Sequence, residues 1–96
     1  MIELEGLKNK PQKRIEIWVD IELEDQTIFL GAEEILQDRV TDQVNRIWMD
    51  FEAVPNMYEE LMIEFQNMDL FFQVIQKIYS VEGNTLKIEL NLRLIE

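Results

Sequence analysis

Hydrophobic and polar residues alternate strictly along the first element. Ile15, Ile17, Val19, Ile21 and Leu23 interleave with Glu16, Trp18, Asp20, Glu22 and Glu24. Such alternation predicts a strand with one buried face, and the β-branched residues agree with it. Asp25-Gln26 reads as a tight turn, with Thr27 to Leu30 returning as a short second strand.

Gly31 ends that pattern, and the spacing from Ala32 to Glu52 becomes helical. Leu36, Val40, Val44, Ile47, Trp48 and Phe51 fall on one face at about 100° per residue. Asp38, Arg39, Asp42, Arg46 and Asp50 fall on the other, where Asp42 and Arg46 sit one turn apart as an exposed pair. Pro55 ends this helix near Ala53 or Val54, since the residue before proline avoids the α region.

Asn56 and Glu59 have the spacing of a capping box. Beyond them Tyr58, Leu61, Phe65, Met68, Phe72, Ile75 and Tyr79 recur in alternating steps of three and four. That spacing predicts a second helix from Met57 to Ser80. Residues 71–80 also fit a strand, but Gln73, Gln76, Lys77 and Ser80 have helical spacing and favour the helix. Glu82-Gly83-Asn84 supplies a stop, with Gly83 suited to a left-handed cap. Leu86, Ile88, Leu90, Leu92 and Leu94 then alternate with polar residues, which predicts a second long strand sharing a sheet with 15–24.

The expected fold is therefore α+β: a two-layer domain in β-β-α-α-β order, with an antiparallel helical hairpin packed on a small sheet. Residues 1–14 carry Gly6, Pro11 and four basic side chains and read as a flexible basic N-terminal arm. Residues 15–96 form the single α+β domain, and a chain of 96 residues has no room for a second core.

Composition removes most chemistry. The chain has no cysteine and no histidine, which excludes disulfides, thiolate and imidazole metal sites, and Ser-His-Asp or Cys-His catalysis. Its three glycines are isolated, so no phosphate-cradling loop is present. Ser80 is the one serine and has no base but Lys77 near it in sequence. No cofactor is expected and the protein is not expected to be an enzyme.

Charge narrows the partners. Residues 15–76 hold 15 acids against Arg39 and Arg46, a net −13 within a total of −11. Direct binding to nucleic acid or to an anionic membrane is disfavoured. No apolar run approaches a membrane span, and Met1 to Leu7 lack the basic and apolar regions of a secretory signal, so a cytoplasmic location is expected.

Asp20, Glu22 and Glu24 share a strand face with Glu16, but an extended strand holds such carboxylates about 7 Å apart. That spacing does not curl them around a cation, so no metal site is expected. Trp18 stands on the same polar face, where a large aromatic is either covered or used in a contact. The basic arm, through Lys13 or Arg14, or a second subunit would cover it.

Trp18, Glu16, Asp20, Glu22 and Glu24 are thus the candidate interface. The reading is a small acidic, non-enzymatic protein–protein interaction module, a homodimer formed by pairing strand 86–95 with its own copy. The alternative is an acidic nucleic-acid mimic that inhibits a basic, nucleic-acid-binding protein, of the kind phages and mobile elements encode.

Overall fold

The computed structural model describes residues 14–23, 29 and 31–95. Strand β1 (Arg14–Glu22) leads to helix α1 (Glu33–Phe51), followed by strands β2 (Glu60–Phe65), β3 (Met68–Glu82) and β4 (Thr85–Leu94). The four strands form one sheet in the order β1-β4-β3-β2. β1 runs parallel to β4, and the other pairings are antiparallel. α1 packs against β1 and β2, the two outer strands of the sheet. The sheet curls so that both edges reach the helix, and β3 and β4 fill the hollow beneath it.

The expected strand 15–24 and the first helix are present as β1 and α1. Strand β4 matches the expected 86–95 and does share a sheet with β1. β4 is flanked on both sides, however, so it is not an edge and cannot pair with a copy of itself.

The helical hairpin is overturned. Residues 57–80 hold a turn, β2 and most of β3 rather than a helix, so the described residues are mostly strand with one α-helix. Three local features explain the misleading spacing. Leu61, Ile63 and Phe65 are buried in strand alternation, as are Leu70, Phe72 and Val74, but Gln66 and Asn67 separate the two runs. Both turn residues have positive φ (51° and 64°), the signature of a two-residue type I′ hairpin turn. A β-bulge then falls between Val74 and Gln76, with Ile75 as the extra residue. The bulge shifts the alternation by one position, so Phe72 and Val74 share a face with Lys77, Tyr79 and Val81. A hairpin followed by a phase shift leaves apolar residues at steps of three and four without any helix.

The capping box is half realised. Asn56 N–H donates to Glu59 Oε1 at 2.6 Å, and Glu59 N–H donates to the Asn56 carbonyl at 3.0 Å. The chain turns there instead of coiling, with Tyr58 at φ 68°, and Tyr58 and Glu59 exchange backbone hydrogen bonds with Val74. They thereby extend the β2 side of the sheet up to the bulge. Gly83, at φ 60°, takes the first position of the two-residue turn between β3 and β4 rather than a helix cap.

The expected return strand at 27–30 and its turn at Asp25-Gln26 lie outside the described residues except Phe29. That side chain is buried against Phe65 with ring centroids 6.3 Å apart, and it closes one end of the core. The arm ahead of Arg14 also lies outside the described residues.

Candidate interaction surface

The register places the inward side chains in rows across β1, β4 and β3. The rows are Ile21–Leu92–Val74, Val19–Leu90–Lys77, Ile17–Ile88–Tyr79 and Ile15–Leu86–Val81. A helix of 19 residues is about 28 Å long. The 15 residues of β3 span about 50 Å. The helix therefore covers only part of the sheet, and its buried residues are Leu36, Val40 and Val44. Phe51, expected on the buried face, is 76% exposed at the last residue of α1.

The rows nearest the β3–β4 turn lose their cover. Val81 is 72% exposed and Tyr79 59%, although both stand on the apolar face. Ile15 is exposed and Leu86 half-buried. A shallow depression of about 260 Å³ opens here between β1 and the turn, lined by Ile15, Val81, Leu86 and Thr85 among others. Lys77 Nζ crosses this end, donating to Asn56 Oδ1 at 2.7 Å and lying 5.3 Å from the Tyr79 ring centroid.

The two sheet edges differ in how their backbone groups are satisfied. On β1 the side-chain amide of Gln37 acts as a short stand-in strand. Its Oε1 accepts from Ile21 N–H at 3.1 Å and its Nε2 donates to the Val19 carbonyl at 2.5 Å. On β3, residues 76–82 pair with β4 on one side and have no strand on the other among the described residues.

The outer face carries the residues singled out in the sequence. Glu16, Trp18, Asp20 and Glu22 lie opposite Lys87, Glu89, Asn91 and Arg93. Trp18 is 55% exposed, with Lys87 Nζ 4.3 Å from its ring centroid and its indole N–H donating to Glu16 Oε1 at 3.3 Å. The cation over the ring comes from β4. Arg14 instead approaches Glu16 at 3.8 Å, Arg93 approaches Glu22 at 3.6 Å, and Lys87 approaches Glu89 at 3.2 Å. Pairs this exposed contribute about 0–1 kcal/mol each. They offset the charge of this face more than they stabilise the fold. Glu24 lies outside the described residues. Among the described residues no three carboxylates converge on a common point.

No protein-family model, characterised protein or solved structure matches the chain.

The acids of α1 differ from Glu16, Glu22 and Glu89 of the sheet. Glu34, Asp38, Asp42 and Asp50 have no basic side chain within ion-pair distance among the described residues, and Asp42 and Arg46 do not close the expected pair. No helix is long and apolar enough to cross a membrane among the described residues. Sequence reasoning missed Ile15, Tyr79, Val81 and Gln37 as surface determinants. The alternation of Lys77, Tyr79 and Val81 against Ile78, Ser80 and Glu82 was the available signal for Tyr79 and Val81, since it continues the strand already weighed for 71–80.

Proposed function

We propose that this protein is a small acidic, non-enzymatic protein–protein interaction module that works as a homo-oligomer in the cytoplasm. The observation that carries the reading is the exposed end of the apolar sheet face, where Ile15, Tyr79 and Val81 lie beside an edge of β3 that no other described strand pairs with. An apolar surface joined to open backbone groups suits association with another chain better than it suits a small substrate. Trp18 already has Lys87 as a partner within the sheet, so the open end is the stronger candidate contact.

Light scattering across a concentration series tests the reading. The expected result is a dimer mass that persists at high salt, because apolar and backbone contacts are screened little by ions. A monomer at every concentration overturns it.

The uncompensated acids of α1 support a second reading, an acidic mimic that occupies the groove of a basic protein. Its mark is binding to basic, nucleic-acid-binding proteins that weakens steeply as salt rises.

A further inference from the structure

We infer that β3 pairs with β3 of a second copy, antiparallel about a two-fold axis at Tyr79, so that two four-stranded sheets become one of eight strands. This rests on the self-association reading above and specifies its surface.

The backbone directions permit it. Glu82 and Thr85 flank a two-residue turn, which makes them a pair bonded through both backbone groups. Alternation from there turns the N–H and C=O of Ser80, Ile78 and Gln76 toward β4. Those of Val81, Tyr79 and Lys77 point away from β4, into the open edge. Val74, on the other side of the bulge, points the same way and is already bonded to Tyr58 and Glu59. The open slot is therefore bounded by the Glu59–Val74 pairing at one end and by the Gly83–Asn84 turn at the other.

The slot fits its own sequence in one register. With Tyr79 opposite Tyr79, Lys77 lies opposite Val81 and Gln76 opposite Glu82. Each Gly83–Asn84 turn then ends where the other copy's slot ends. A register centred on Ile78 would drive Glu82 against Val74, where Tyr58 and Glu59 already sit. One centred on Ser80 would set turn residues opposite Gln76 and Lys77.

Charge and apolarity agree with this register. Antiparallel pairing sets Lys77 opposite Val81 and Glu82 opposite Gln76, so no like charges face each other, whereas parallel pairing would align like charges. The row Ile17–Ile88–Tyr79 of one copy continues into Tyr79–Ile88–Ile17 of the other, which covers two half-exposed tyrosines at once. Val81 comes to rest against the aliphatic stem of Lys77 from the second copy. The β1 edge is a poorer candidate because Gln37 occupies its Val19 and Ile21 groups.

Tyr79→Pro is a selective test. Proline removes an N–H that faces the open edge and none that the β3–β4 ladder uses. The expected result is a shift from dimer to monomer mass with an unchanged far-UV circular dichroism spectrum. Tyr79→Cys supplies a second readout that does not depend on tolerance of proline, since the chain has no other cysteine. Residues facing each other in such a bonded pair have Cα atoms about 5.5 Å apart, within disulfide reach. Mild oxidation should therefore convert Tyr79→Cys to a covalent dimer while Ile35→Cys, on the exposed side of α1, stays monomeric on denaturing gels. If the parent chain is a dimer but Tyr79→Pro remains one, and position 79 cross-links no faster than position 35, edge pairing is overturned and self-association through another surface stands. If the parent chain is a monomer throughout, both readings fall.

Discussion

Gln37 shows how one side chain can finish a sheet. Its amide presents an acceptor and a donor with the spacing of a neighbouring strand, and it also donates to Thr41 Oγ1 at 3.0 Å. Gln37→Ala exposes Val19 C=O and Ile21 N–H at an edge that the helix partly shields from water. Loss of two hydrogen bonds of this kind should lower stability by about 1–2 kcal/mol in urea titration. Amide exchange at Ile21 should accelerate beyond that global change. Val44 is a different case, fully buried between α1 and the sheet. Val44→Asp places an unpaired charge there and should cost about 4 kcal/mol or more, enough to leave the domain unfolded. Asp42→Ala, at an exposed position with no ion partner among the described residues, should change the urea midpoint by less than about 0.5 kcal/mol equivalent.

The turns are the elements that decide the architecture, and they are where sequence reasoning went astray. Gln66 and Asn67 both hold positive φ, yet glutamine rarely adopts it and the pair lacks glycine. Replacing them together, Gln66→Asn with Asn67→Gly, supplies the preferred residues of a type I′ turn and should raise the melting temperature by several degrees, a gain of about 1 kcal/mol. In a helix the same change would have cost about 1 kcal/mol for the glycine alone, so the sign of the shift separates the two architectures. The parts legible beforehand were those whose pattern had one period throughout: β1, α1 and β4. The region from Met57 to Glu82 was illegible because two strands, a turn without glycine and a bulge followed one another within it. Its apolar residues satisfy a helical spacing as a by-product of phase changes. The candidate interface was legible only on the outer face, where Trp18 interrupts a polar run. The open end of the apolar face depends on how far a helix reaches along a strand, which local periodicity does not report.

At the scale of the molecule, the mismatch between one short helix and one long hairpin gives a body 59 Å long and 23 Å across. The core is concentrated where the helix lies, and the far end is held by strand pairing. Amide exchange should follow that division. It should be slowest in 88–92 of β4, which has a strand on each side, and faster in 77–82, whose outward groups face the open edge. Association through that edge should slow exchange at Lys77, Tyr79 and Val81 specifically as protein concentration rises.

The parallel pairing of β1 with β4 also has a kinetic consequence. Arg14 lies opposite Thr85, so closing this ladder joins points about 70 residues apart, while β2, β3 and β4 are linked by two-residue turns. Folding should begin in the three-stranded meander, and the barrier should lie ahead of β1 docking. Gly83→Ala strains a backbone at φ 60° within the early part and should act mainly on the refolding rate. Ile17→Val, on the late strand, should leave refolding nearly unchanged and speed unfolding instead. Stopped-flow refolding and unfolding of the two variants would distinguish this order from one in which β1 joins early. A chain that assembles this way holds the β4 edge open until its first strand arrives, and during that interval a strand that ends up in the middle of the sheet is available to any other extended segment nearby.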